Sequence, residues 1–315
     1  MQFSIGAQME QQSTEACLKQ LRELSLRGLA SFDFEAILEQ HYRHWVQAGD
    51  TVIDVGAHVG RHLGPLLDCV GPGGKAIAFE PLPFAFHTLE DRFKDTGVVL
   101  HNVALSNRIG ESDFTYARGT PEESGLRQRQ YNRPDAANPT QIKVRVDSLD
   151  RCVAGLTELS FIKIDVEGGE IDCLEGSRAT LAKFRPVVSV EYGKPSYSAY
   201  GNTQDTLFEL AQSCDYALLD IFLNPLDRIE EWRLACDCVC WDFLMVPRER
   251  RGEFVARVYS RAHYALETPK ANSEGEIASL QARVRQLEGE VAAYQNSASW
   301  KVTAPIRAMV KPFRT

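Results

Sequence analysis

Long apolar runs are missing from this sequence, and no stretch approaches the roughly 18 residues that a membrane-spanning helix needs. The N-terminus has no basic flank followed by an apolar segment, so no secretory signal is expected. Excess positive charge is missing as well. Lysine and arginine number 35 against 43 acids, for a net charge of −8, which argues against a general nucleic-acid binder. Eight cysteines among 315 residues do not make a disulfide scaffold. Cys236, Cys238 and Cys240 lack the paired Cys-x-x-Cys spacing of a structural zinc site. On a strand all three would share one face, which cannot wrap a tetrahedral ion, so they read as packed small apolar residues. Nor is there an Asp-x-Asp pair to hold the metal of a nucleotide diphosphate. These absences leave a cytoplasmic chain with reduced thiols, long enough to bury a sizeable core in one large domain with appendages.

What is present centres on Thr51-Val52-Ile53-Asp54-Val55-Gly56-Ala57-His58-Val59-Gly60. A β-branched run predicts a buried strand, the glycines let the backbone turn and approach a ligand, and Arg61 to Val70 predicts a helix. Strand, turn and helix place backbone N–H groups at a carboxyl strand end, where α/β sheets hold nucleotide-like ligands. A dinucleotide fits poorly. The Gly-x-Gly-x-x-Gly spacing is absent, and Asp54 would set a negative charge against a diphosphate. An amino group would suit that carboxylate. Lys75 to Phe79 predicts a second strand, and Glu80, followed by Pro81, could accept both hydroxyls of a ribose. Two acids, a ribose clamp and no phosphate loop suit S-adenosylmethionine.

Further along, residues 83–94 predict a helix and Val98 to Ala104 a third strand, with Asn102 and Ala104 at its end as candidate contacts to adenine or its ribose. Glu111–Tyr116 and Gln141–Val146 predict strands. Between them, residues 117–140 carry Arg118, Arg127, Arg129 and Arg133 among Gly, Pro, Asn and Gln, which predicts a long loop able to meet an anionic substrate. Leu159 to Ile164 predicts a strand that delivers Asp165 and Glu167 to the same sheet edge as Asp54 and Glu80. Glu191 ends another strand, Pro186 to Tyr192. Strands over 216–223 and 236–246, joined by a loop, complete an alternation that implies a mostly parallel sheet with helices on both faces. Ahead of the glycine turn, residues 13–29 predict one helix, and Asp33 caps a second that carries Phe34, Ile37, Leu38, His41, Tyr42 and Trp45 on one face.

The stretches Val52-Ile53-Asp54-Val55-Gly56-Ala57-His58-Val59-Gly60, Phe79-Glu80-Pro81 and Ile162-Lys163-Ile164-Asp165-Val166-Glu167-Gly168-Gly169-Glu170 together resemble the FkbM-type S-adenosylmethionine-dependent methyltransferases over residues 45–247. The resemblance implies a Rossmann-like, seven-stranded class I methyltransferase sheet and an O-methylation reaction. It also implies that Asp54, Gly56 and Gly60 hold the methionine moiety and that Glu80 holds the ribose. His58 stands where the family has Asn, and could still donate to the cofactor carboxylate. In-line methyl transfer gains from alignment and exclusion of water, and a carboxylate base would help a weakly nucleophilic hydroxyl. Asp165, Glu167 and Glu191 are the candidates, with Asp165 also at the cofactor. Asp165 with Glu191 could instead bind Mg²⁺, and Glu170 reads as a helix-start acid.

Beyond Pro269 a polar linker leads to a short heptad. Ile277, Val284 and Val291 fall at one core position; Leu280, Leu287 and Tyr294 at the other. This pattern suits a parallel coiled-coil homodimer or pairing with a partner enzyme. The basic, aromatic segment from Ser297 to Arg314 suits docking to an anionic membrane surface and resembles the tails of bacterial enzymes that assemble surface polysaccharides. The organisation expected is N-terminal helices over 1–48, a methyltransferase domain over 49–268 and the tail over 269–315. The activity expected is O-methylation of a sugar in a bacterial surface polysaccharide or its precursor, at the inner membrane and without nucleic acid. Two alternatives stay open: a small secondary metabolite as acceptor, or a non-catalytic assembly factor acting through the coiled coil.

Overall fold

The computed structural model describes residues 33–238 and 241–267. The expected helix over 13–29, the heptad, the basic tail and Cys240 lie outside the described residues. One compact unit runs to Tyr259. The second begins at Ser260 and is described only as the continuation of a helix to Glu267.

Seven strands form the main sheet: β1 (Thr51–Val55), β2 (Lys75–Phe79), β3 (Val99–His101), and, after two strands of a smaller sheet and a long partner, β7 (Phe161–Ile164), β8 (Val187–Glu191), β9 (Tyr216–Asp220) and β10 (Asp242–Pro247). Their order is β3-β2-β1-β7-β8-β10-β9. All pairings are parallel except those of β10, which runs antiparallel to both neighbours. Strand β1 is buried at every position, as expected for a continuous β-branched run in the centre of a parallel sheet covered on both faces. The chain leaves β1 towards β2 on one side and returns at β7 on the other, so the switch point lies between β1 and β7.

The smaller sheet, β4 (Ala104–Leu105), β5 (Gly110–Ala117) and β6 (Pro139–Asp147), is ordered β4-β6-β5. It corrects the expected third strand, which ends at His101; after Asn102 and Val103 the chain changes sheet. The last two strands are neighbours and antiparallel, as expected of a hairpin, but residues 229–235 between them form a helix rather than a loop. Cys236 closes that helix, and Cys238 also precedes β10, so these two cysteines do not alternate on a strand as expected.

Side-chain alternation divides the core. Ile53, Val55, Ile162, Ile164, Val188 and Val190 pack on one face with Leu174, Leu181, Leu207 and Trp232 from helices α4 (Glu170–Glu175), α5 (Arg178–Phe184), α6 (Thr206–Ser213) and α7 (Ile229–Ala235). Val52, Phe161, Val187 and Leu244 face the other way. There they meet α1 (Phe34–Trp45), α2 (Leu63–Val70), α3 (Pro83–Phe93) and α8 (Arg251–Glu267).

Helix α1 is tied to this second face along its length. Asp33 caps it by accepting from the Ala36 N–H at 2.9 Å, and Leu38, Tyr42 and Trp45 are buried on its inner face. His41 Nε2 lies 2.7 Å from the Ile221 carbonyl. Trp45 stacks edge-on against Phe254 at 5.2 Å and donates from Nε1 to the Ser160 carbonyl at 3.3 Å. Trp45→Ala is expected to cost about 3–5 kcal/mol of folding stability through the cavity it leaves. Urea denaturation would measure the loss, and Trp45→Phe should recover much of it.

Candidate active site

The turn after β1 is built by backbone geometry. Gly56 has φ +78° and a Cβ there would collide with the Asp165 carbonyl, so only glycine lets β1 and β7 close to this distance. The Gly56 and Ala57 N–H groups donate to the Phe79 carbonyl at 2.9 and 3.2 Å, and the Asp165 N–H donates to Val55 at 3.1 Å. Three strand ends are thereby tied into one rim. His58 also has positive φ, +46°, and its N–H donates 2.7 Å to Glu80 Oε2. Leu82 N–H donates 2.7 Å to Glu80 Oε1. The backbone thus fixes the carboxylate, and Glu80 lines the cavity. Burial raises the Glu80 pKa to about 7.

A cavity of about 270 Å³ opens along this rim, lined among others by Asp54, Gly56, Ala57, His58, Glu80, Pro81, Ala104, Asp165, Glu167 and Glu191. Asp54 is 1% exposed and both its carboxylate oxygens lack a hydrogen-bond partner. Burial raises its pKa, opposed by the charges of Lys163 and His62. Such a carboxylate is costly unless a donor arrives. The ammonium of a methionine moiety meets that need, and the Glu80 oxygens suit a ribose diol, so the cradle fits S-adenosylmethionine. His58 Nε2, buried and also without a partner, can serve the same ligand.

Two of the expected contact residues lie outside the cavity lining. Gly60 does not line the cavity; at φ +84° it turns the chain where a side chain would strike Phe93 and Leu89. Asn102 donates its amide to the Glu80 and Pro81 carbonyls at 2.8 and 3.2 Å, so it holds the Glu80 loop and does not border the cavity.

The three base candidates meet at the rim, each already engaged. Lys163 on β7 lies beside Asp54 on β1 and Ser189 on β8 in register. It is buried, and its Nζ is 2.9 Å from Asp165 Oδ2. Burial opposes the Lys163 charge, but Asp165 and Asp54 outweigh it and hold the ammonium protonated. Burial alone would raise Asp165; Lys163, together with a hydrogen bond to Glu191, keeps it below its ordinary value. Glu191, raised by burial and by Asp165, is the member of that pair that carries the proton. Asp242, opposite Glu191 on β10, is raised by burial to about 6. A cation therefore already sits on Asp165, where Mg²⁺ was an alternative. Among the described residues no three His, Cys, Asp or Glu side chains are grouped to hold a metal ion.

Glu167 is engaged differently. It takes φ +59° ahead of Gly168 at +109°, a strained turn of the kind found at functional sites, and its carboxylate pairs with Arg129, whose side chain is 3% exposed. Glu170 is structural, accepting from the Val166 and Gly168 N–H groups at 3.1 and 2.9 Å. Residues 117–140 are consequently not a free loop presenting arginines. A 3₁₀ turn at Pro121–Glu123 and a helical turn at Pro134–Ala137 interrupt it. Arg127 lies over the Tyr200 ring at 5.2 Å. None of the four arginines borders the cavity; Pro121, Glu122, Ser124 and Leu126 do.

Lys163, Glu35 and His62 were missed as site residues. Glu35 and His62 line the cavity beside Arg61. Lys163 had a signal, a lone lysine inside an otherwise apolar strand. Glu35 and His62 had none, because helix α1 meets the β1 turn only in the folded chain.

The sheet order with its antiparallel β10, the crossover at β1 and the acids at the carboxyl rim define a Rossmann-like class I methyltransferase fold. The profile of the methyltransferase FkbM domain matches residues 54–218, and the chain belongs to that family. Among solved structures it is similar to a methyltransferase FkbM from Methylobacillus flagellatus KT, at 14% identity and a TM-score of 0.39, covering 72% of this chain and 57% of that one. It is also similar to a SAM-dependent methyltransferase from Aquifex aeolicus, at 13% identity and 0.36, covering 74% and 98%. A third is Aeropyrum pernix fibrillarin with natively bound S-adenosyl-L-methionine, at 14% identity and 0.35, covering 64% and 67%. No curated protein matches the sequence significantly.

Arg129→Met is expected to leave Glu167 without its cation and to destabilise the fold by about 3–5 kcal/mol. The Arg129→Met/Glu167→Met double variant should recover most of that loss in chemical denaturation.

Proposed function

We propose that this chain is an S-adenosylmethionine-dependent O-methyltransferase acting on a sugar hydroxyl of a bacterial surface polysaccharide or its precursor. The observation that carries the cofactor half is Asp54, a buried carboxylate with two unpartnered oxygens beside the Gly56 turn. The glycan half rests on the tail sequence, which also motivates a cytoplasmic site of action at the inner membrane and pairing through the heptad. No helix among the described residues is long and apolar enough to cross a membrane.

When bound, the cofactor supplies an electrophilic methyl group. The chain's work is then alignment and exclusion of water. Asp54 holds the amino group, Glu80 the ribose diol, and Gly56 and Ala57 give the close backbone approach. Pro81 and Ala104 line the same cavity. Asp165 stays ionised beside Lys163 and can accept a hydrogen bond from an acceptor hydroxyl, while Glu191 holds a proton next to it.

Calorimetric titration of S-adenosylmethionine and S-adenosylhomocysteine tests this reading. Glu80→Gln and Asp54→Asn should each weaken binding by about 1.5–3 kcal/mol, the worth of a hydrogen bond to a charged group. No binding by the unaltered protein would overturn it.

The pH dependence has a defined sign. Glu80, near 7 without ligand, must be ionised to accept from two hydroxyls. Affinity should therefore fall as pH drops through about 7, approaching tenfold per unit for one linked proton. Glu80→Gln should flatten that dependence.

A further inference from the structure

We infer that the part of the cavity under α1 is the acceptor subsite and that it takes a diol-bearing sugar ring without an anionic group, held by Glu35 and His62. The inference rests on the methyltransferase reading above and adds the chemistry of the second substrate.

Alternation along the strands sends Asp54, Lys163, Glu191 and Asp242 to the sheet face that α1 covers, since their neighbours Val52, Phe161, Val187 and Leu244 pack there. Glu35, in the first turn of α1, hangs over the end of this polar row with 54% of its side chain exposed. His62 sits below it, 4% exposed, with Nδ1 3.1 Å from the Tyr42 hydroxyl. Its Nε2 is buried and faces Glu35 Oε2 at 3.4 Å, without the geometry of a full hydrogen bond. Both residues line the cavity. A buried imidazole nitrogen loosely paired with a half-exposed carboxylate offers what a vicinal diol needs: acceptor oxygens for two hydroxyls and a ring nitrogen that accepts or donates according to its tautomer.

The same wall disfavours phosphate. Two cationic side chains, Arg61 and Lys163, are among its lining, and both are paired. Arg61 contacts Glu39 at 2.7 Å and Glu35 at 3.5 Å, and Lys163 contacts Asp165 at 2.9 Å. Glu122 and Glu35 flank the cavity as well, so a phosphorylated ring would meet like charge without a free cation to compensate.

The test uses the full chain loaded with S-adenosylhomocysteine and reads binding by saturation-transfer NMR. The probes are methyl α-glucopyranoside, methyl α-mannopyranoside, methyl α-glucosaminide and glucose 1-phosphate. At least one neutral glycoside should bind at least tenfold more tightly than glucose 1-phosphate. Glu35→Gln and His62→Gln should each weaken that glycoside at least tenfold while the affinity for S-adenosylhomocysteine, measured by calorimetry, stays within twofold. Glu35 is half exposed, so its variant keeps the test independent of folding. Binding of no neutral glycoside, tighter binding of the phosphate, or an unchanged Glu35→Gln would overturn the inference. Failure of the unaltered protein to bind S-adenosylhomocysteine would instead overturn the cofactor reading on which it stands.

Discussion

A buried ammonium organises the rim of this protein. Lys163 lies in the centre of the sheet, one strand from Asp54 and two residues from Asp165, with Glu191 and Asp242 on the next two strands. Removing such a charge from water costs several kcal/mol per ion unless close partners compensate. Here the compensation comes from Asp165 at 2.9 Å and from the field of Asp54. One cation thereby lets several carboxyls stand together: Asp165 ionised, Glu191 carrying the proton, and Asp54 left without a donor of its own. A site that needs both a free carboxylate for a cationic ligand and an ionised acceptor beside it depends on that arrangement.

The second layer of organisation is backbone. Glu80 and Glu170 are both buried acids that accept from main-chain N–H groups, two each, on either side of the switch point. They pin the turns after β2 and β7, just as the N–H groups of Gly56 and Ala57 pin the turn after β1. Positive φ at His58 and Glu167, both non-glycine, shows that these turns are held in costly conformations by their surroundings. Arg129 performs the corresponding task for the segment over the cavity, drawing residues 121–133 down onto Glu167. Its charge is thus used for shape.

Much of the fold was legible in the chain. The β-branched run at 51–55, the strand ending in Glu80 and the strand ending in Asp165 each announce a buried parallel strand with an acid at its carboxyl end. Asp33 announces the start of α1. Period two and period 3.6 are local properties, and local properties survive in a linear string. What misled were places where a neighbour decides. Val98 to Ala104 reads as one strand, but Asn102 turns its amide to the Glu80 loop and the chain leaves for another sheet. The cysteines near 236 alternate as strand residues would, but Trp232 and its helix claim the approach to them.

The sequence by itself set the chemistry on offer at the β1 turn, because Asp54, the glycine turn and Glu80 act at short range and at known offsets. It equally determined that these acids share one sheet edge, because strand–helix alternation admits few topologies. Only the tertiary structure decided what each group is free to do. Whether Glu167 can take a proton depends on Arg129, 38 positions away in the chain. Whether Gly60 touches a ligand depends on Phe93. Whether an acceptor meets Glu35 and His62 depends on α1 lying across the sheet. Side-chain contacts form between segments distant in sequence, and protonation follows burial and the nearest charge, neither of which a linear order of residues contains.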